Sequence, residues 1–113
     1  MPVTNPQARL VLTTVNGQEE AERIGQTLVE EKLAACATIV PGVHSIYRWQ
    51  GQVETAYETL LLLKTGPDQL PALEARLHAL HSYHTPEFLI LPVEAGSQGY
   101  LDWLHASLKL PVP

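Results

Sequence analysis

The order of apolar patterns along this chain of 113 residues predicts an α+β fold: a βαββαβ sandwich with an extended hairpin and an extra C-terminal helix. Three observations lead there. Runs of β-branched residues alternate with segments whose leucines and isoleucines recur at helical spacing. Two long β patterns follow one another across a single tight-turn pair, Gln50-Gly51. Residues 8–110 contain no linker, repeat or low-complexity tract, so one domain accounts for all of them, with residues 1–7 and 111–113 as flexible ends.

Ala8 to Val15 (ARLVLTTV) reads as the first strand, and Asn16-Gly17 breaks it. Asn16 is a good N-cap with Glu19 three residues on, so a capping box is expected to open a helix. Ala21, Ile24, Leu28 and Val29 form its apolar stripe, while Glu19, Glu22, Arg23 and Glu30 face water. This helix should run to about Leu33. Ala35 to Trp49 is the second strand, with a bulge or bend expected at Pro41-Gly42 because proline cannot donate to a central ladder. Gln52 to Thr65 returns as the third strand. Gly66-Pro67-Asp68 stops it and starts a second helix carrying Leu70, Leu73, Leu77 and Leu80. Glu87 to Glu94 is the fourth strand, ended by Gly96, and Gln98 to Leu108 is a short third helix with Leu101, Leu104 and Leu108. This succession is the ferredoxin-like split βαβ arrangement, an antiparallel sheet with two helices on one face.

The hairpin from Val43 to Lys64 is too long for one subunit to use alone. Strands typically run about 5–6 residues, whereas twelve residues span roughly 40 Å and a compact chain of this size is roughly 35 Å across. A tip bearing Tyr47, Trp49 and Val53 would overhang the sheet. Pairing with a neighbouring subunit would satisfy both the open edges and the aromatics. The alternative is an arm folded back over its own domain. A charged fraction of only 17% fits a surface partly hidden in an oligomer.

A net charge of −5, with seven scattered basic residues, argues against nucleic acid or an anionic membrane as partner. Cys36 is the one cysteine, so there is no internal disulfide and a reducing compartment is favoured. The polar start lacks the apolar run of a signal peptide, and no stretch approaches the roughly 20 apolar residues of a membrane span. A cytoplasmic protein is expected.

Residues 28–65 (LVEEKLAACATIVPGVHSIYRWQGQVETAYETLLLLKT), 81–93 (HSYHTPEFLILPV) and 100–104 (YLDWL) resemble the signature of the CutA family of divalent-cation tolerance proteins. Tyr47, Trp49, Gly51, Glu58, Lys64 and Thr65, then His81, Tyr83, Pro86 and Glu87, carry the pattern. The resemblance implies a homotrimer in which long hairpins pair across subunits, similar in fold to the nitrogen-regulatory signalling trimers. It also implies a role in tolerance of divalent cations, copper foremost.

His78, His81 and His84 recur at every third position, and neutral imidazoles at such spacing suit copper, zinc or nickel. The bland alternative is a solvated helix residue, His78, and a loop residue, His84. In the family the copper role implies a first-strand cysteine and adjacent histidines before a Pro-Tyr pair. Here Thr13 stands at the strand position, Leu80 precedes His81, and Ser82 replaces the proline. Only His81 carries over, with Cys36 as a nearby family-typical thiol. The candidate metal ligands are thus His81, Cys36 and His84, and the alternative for Cys36 is a buried, inert thiol.

Lys64 ends the apolar run Leu60 to Leu63 and needs a carboxylate partner, for which Glu58 and Glu87 are candidates. The functional reading is an inter-subunit pocket of Lys64, Glu87, Tyr83, Trp49, Tyr47 and Glu58 that holds a small anion or a metal complex. The bland reading is an interfacial salt bridge. With no Gly-rich phosphate loop, G-x-S-x-G elbow or H-E-x-x-H, neither an enzyme nor an organic cofactor is expected. Two functions follow: a trimer contributing to cation tolerance by weak metal binding or signalling, or a trimer that senses a small anion.

Overall fold

The computed structural model describes residues 2–108. In chain order they form β1 (Val3–Thr4), β2 (Arg9–Val15), α1 (Gln18–Glu30), β3 (Cys36–Trp49), β4 (Gln52–Thr65), a 3-10 turn (Pro67–Gln69), α2 (Leu70–Leu80), β5 (Leu89–Pro92), β6 (Ala95–Gly96) and α3 (Gln98–Ala106). The main sheet has the order β3-β4-β2-β5, with every neighbouring pair antiparallel. This is the ferredoxin-like sandwich that the patterns predict.

Period-two alternation decides which face carries the helices. Val11 and Val15 of β2 and Leu61 and Leu63 of β4 point to the same side. They are fully buried there against Ala21, Ile24 and Leu28 of α1 and Leu73 and Leu77 of α2. The helix lies very close to the sheet at Gly25, where an added Cβ would stand 2.9 Å from the Cβ of Ala37. Thr65 is buried on this face and satisfies its hydroxyl by donating to the Leu33 carbonyl at 2.7 Å. The opposite face carries Leu10, Leu12, Leu60 and Leu62 half-buried, and Val40, Leu89 and Leu91 exposed. A second cluster, Ala8, Ala35, Leu101, Leu104 and Leu108, anchors α3.

The hairpin forms as its punctuation dictates. Register slips between Val40 and Val43, where Gly42 adopts φ 74° behind Pro41. At the tip Gln50 and Gly51 have φ 50° and 79°, the pair of positive angles that suits the twist of a two-residue hairpin loop. The β2 ladder on β4 ends at Val15 opposite Thr59, so among the described residues Val43 to Glu58 pair only with one another across the turn. The result is a two-stranded arm on a molecule of 45 × 29 × 23 Å. Ile46, Val53 and Tyr57, on one face of it, are 68%, 64% and 76% exposed.

Several expectations are corrected. No capping box opens α1: its N-cap is Gly17, and the Asn16 amide is bound by Glu20 Oε2 at 3.2 Å, not by Glu19. The helix ends at Glu30, short of Leu33, because Lys32 turns left-handed at φ 59° and the Leu33 amide folds back to the Leu28 carbonyl. Val29 falls outside the apolar stripe and is exposed. Within the expected flexible lead, Val3–Thr4 pairs with Ala95–Gly96 and the Asn5 amide donates to the Glu94 carbonyl at 2.8 Å, so these residues are tied to the domain. The fourth strand of the sandwich is shorter than expected, Leu89–Pro92, and α3 stops at Ala106. The tail at residues 111–113 lies outside the described residues.

Candidate functional site: an acidic, aromatic cleft

The site begins with His81, which caps the C-terminus of α2 and whose side chain is fully buried. Its Nδ1 accepts from the Tyr83 amide at 3.0 Å, and its Nε2 lies 2.9 Å from the Thr14 carbonyl. An amide only donates and a carbonyl only accepts, so the proton sits on Nε2 and both ring nitrogens are engaged. Glu20 secures the next residue, accepting from the Ser82 amide at 2.9 Å and the Ser82 hydroxyl at 3.0 Å. Burial alone would raise the Glu20 carboxyl, but the bonds from Ser82 and the Asn16 amide outweigh it and hold the group below its ordinary value. These contacts tie the loop after α2 to the junction of β2 and α1.

That anchored loop delivers Tyr83 to the arm. The Tyr83 hydroxyl donates to Glu58 Oε2 at 2.7 Å, and its ring packs on His81 with centroids 4.8 Å apart. Burial first, and then the bond to Glu58, push the phenol well above its usual range, so it stays a neutral donor. Glu58, 9% exposed, shares one face of the arm with Ser45, Tyr47 and Trp49. Glu87 lies in the segment that leads into β5 and lines the same space. Partial burial, and then the charge on Glu58, raise its carboxyl above the ordinary value. Together with Thr14, Ile46, His84 and Thr85 these groups line a cleft of about 680 Å³.

Five of the six expected pocket residues, Tyr47, Trp49, Glu58, Tyr83 and Glu87, are therefore brought together. Lys64 is not among them. It lies six positions along β4 from Glu58, roughly 20 Å at strand spacing, opposite Cys36 and Leu10. Its ammonium stands 5.6 Å from the centre of the Tyr100 ring, and its hydrogen bond to Tyr100 raises its pKa. The expected pairing of Lys64 with Glu58 or Glu87 does not occur within the chain, because both glutamates lie at the other end of the sheet.

The candidate metal ligands are likewise separated. His81 is buried with both nitrogens engaged, His84 is exposed on the cleft, and Cys36 lies beside Thr38 with its sulfur 3.6 Å from the hydroxyl. His78 is a solvated helix residue bonded to the Glu74 carbonyl at 2.9 Å. Among the described residues no three His, Cys, Asp or Glu side chains gather closely enough to hold a metal ion. A divalent cation therefore finds no closed ligand set within the described part of one chain. Sequence reasoning missed Glu20 and Tyr100, whose partners lie 62 and 36 residues away in the chain and leave no local signal.

Fold and site together define a ferredoxin-like sandwich with a long projecting hairpin whose arm closes over an acidic, aromatic cleft. Residues 9–107 match the family described as CutA1 divalent ion tolerance protein, and the chain belongs to that family. It is 53% identical over 96 residues to the divalent-cation tolerance protein CutA of Thermus thermophilus, covering 85% of this chain and 93% of that protein. The solved structure of the Thermus thermophilus divalent cation tolerance protein superposes with a TM-score of 0.88 at 49% identity, covering 90% of this chain and 99% of that one. CutA from Synechococcus elongatus gives 0.91 at 41% identity over 96% of each chain. Among the described residues no helix is long and apolar enough to cross a membrane.

Proposed function

We propose that this chain works as a cytoplasmic homotrimer that contributes to divalent-cation tolerance, by weak metal binding or signalling rather than by catalysis. The arm carries this reading. Among the described residues Val43 to Glu58 find no strand partner beyond one another, and Ile46, Val53 and Tyr57 stand in the open. An isolated two-stranded ribbon is marginal in water, and exposed strand edges invite pairing with another chain. The apolar sheet face at Val40, Leu89 and Leu91 offers a second surface for subunits to cover. Three subunits, and copper as the foremost cation, come from the family resemblance.

His81 has no free nitrogen and no three ligand side chains gather among the described residues, so direct metal binding on this chain falls to an exposed donor such as His84 on the cleft, which fits weak binding. One observation favours the anion-sensing alternative. Lys64 makes no ion pair among the described residues, and its ammonium lies beside Tyr100 where a small anion from solvent or from between subunits would find it.

Two measurements test the proposal. Sedimentation equilibrium should give three times the chain mass, and a monomer would sink the assembly reading. Calorimetric titration of metal-free protein with copper, zinc and nickel should give weak heats that His84→Ala reduces and His81→Ala does not abolish. Silence with all three metals would overturn direct binding.

A further inference from the structure

The chain has two asparagines, Asn5 and Asn16, and their neighbours give them opposite chemistry. An asparagine loses ammonia when the amide nitrogen of the next residue attacks its side-chain carbonyl carbon and closes a five-membered imide. Pro6 follows Asn5, so that nitrogen has no proton to give up and the ring is blocked. Gly17 follows Asn16 and has no Cβ to hinder the attack.

The fold leaves the reacting atoms accessible. Asn16 is exposed, and it and Gly17 lie after the end of β2 and before the start of α1. The Asn16 side-chain amide makes no hydrogen bond among the described residues; its backbone N–H is what Glu20 holds. Gly17 stands at φ 105°, and nothing lies within 4 Å of the place a Cβ would occupy. The nucleophile is restrained by the bond of the Gly17 amide to the Val15 carbonyl at 3.0 Å. That bond closes a three-residue turn outside the regular ladders, so it opens without unfolding either element. Asn16 is on neither the arm nor the exposed leucine face, and it does not line the cleft. It thus stands apart from the surfaces assigned to subunit contacts.

We propose that Asn16 is a site of spontaneous deamidation in the folded protein, and that the product loosens the loop after α2. The Gly17 nitrogen bonds to Asn16 Cγ, the Cγ–Nδ2 bond breaks, and ammonia leaves with the proton from the Gly17 nitrogen. Water then opens the imide at either carbonyl, giving aspartate or isoaspartate, each one charge more negative than the parent. The change falls where Glu20 is engaged. Glu20 Oε2 accepts from the Asn16 amide at 3.2 Å and from the Ser82 hydroxyl, while Oε1 accepts from the Ser82 amide. A second carboxylate there opposes the charge on Glu20. The positive end of α1 tolerates the added charge, so the extra backbone methylene of isoaspartate carries the larger effect. It displaces the amide that Glu20 binds, weakening the hold on Ser82 and with it the seat of Tyr83.

The test incubates the intact assembled protein at neutral and at mildly alkaline pH. Samples are followed by isoelectric focusing, peptide mass spectrometry and isoaspartyl methyltransferase labelling. A first-order rise of one acidic, isoaspartate-containing species mapped to residue 16 is expected, faster at the higher pH, with Asn5 unchanged. Asn16→Ser removes the reacting side chain and keeps the backbone amide for Glu20, so it should fold and acquire no such species. In the isolated aged fraction the Ser82 and Tyr83 amides should exchange with deuterium several-fold faster than in fresh protein. Deamidation in urea but not in the folded protein, the same acidic species in Asn16→Ser, or unchanged exchange at Ser82 in the aged fraction would each overturn the proposal.

Discussion

The hydroxyl of Tyr83 donates to Glu58 at 2.7 Å, joining the loop after α2 to the base of the arm across 25 residues of sequence. Removing this bond leaves a nine-tenths buried carboxylate without its only protein partner among the described residues. A hydrogen bond to a charged group contributes about 1.5–3 kcal/mol. Tyr83→Phe should therefore lower unfolding free energy by about that amount. Glu58→Gln should cost less, because its amide oxygen still accepts. Urea unfolding at fixed protein concentration measures both, and equal losses would contradict this ordering.

Glu20 makes folding sensitive to acid. Its folded carboxyl lies below the ordinary value, so its contribution is complete above the unfolded carboxylate value of about 4.3 and disappears as pH falls through the folded one. Glu20→Gln should be less stable than the parent at neutral pH, with the gap closing in acid. Unfolding free energy followed from pH 7 downward reads this directly, and a gap that stays constant would exclude the linkage.

Glu87 has the opposite sign. Its folded carboxyl is raised, so the folded state holds the proton more tightly. The stabilisation is full below about 4.3 and is lost as pH rises through the folded value. Glu87→Gln should melt higher than the parent at neutral pH and match it in acid.

Gly25 sets the approach of α1 to β3. Alanine would gain about 0.8–1 kcal/mol in helix propensity. Its Cβ would, however, sit 2.9 Å from the Cβ of Ala37, and neither atom can rotate away. Overpacking of this kind costs about 1–3 kcal/mol. Gly25→Ala should thus be destabilising overall, by about 1 kcal/mol, in chemical denaturation.

Charge placed on the arm should act on assembly alone. Ile46 and Tyr57 are exposed in a single chain, so Ile46→Asp with Tyr57→Asp has little folded structure to disturb. Circular dichroism should stay unchanged while sedimentation shifts to a smaller species. Unaltered sedimentation would exclude this face of the arm from the contacts of the proposed trimer.

The parts of the fold written in local chemistry were legible in the sequence. Gln50-Gly51, Pro41-Gly42 and the alternation through Leu60 to Leu63 punctuate and orient the hairpin without reference to distant residues, and β4 follows its expected bounds. The site was half legible. Tyr47, Trp49 and Glu58 share one face of the arm by simple alternation and Lys64 lies six strand positions away, but whether Tyr83 and Glu87 join them depends on where the loop after α2 lands. That landing is decided by His81 and Glu20, whose bonds reach across 67 and 62 residues. The two-residue pairing of Val3–Thr4 is too short to show any period at all.

The thiol of Cys36, the chain's one sulfhydryl, has a use that its packing does not advertise. It is half-buried and lies opposite Lys64, on the sheet face that carries the exposed Leu89 and Leu91. Whatever comes to lie over that face must also screen the sulfur. The rate at which a maleimide or iodoacetamide labels the protein is therefore a single-atom gauge of coverage, readable by mass spectrometry at concentrations far below those of sedimentation. If the proposed trimer covers that face, a dilution series of labelling rates would report how strongly its subunits hold one another.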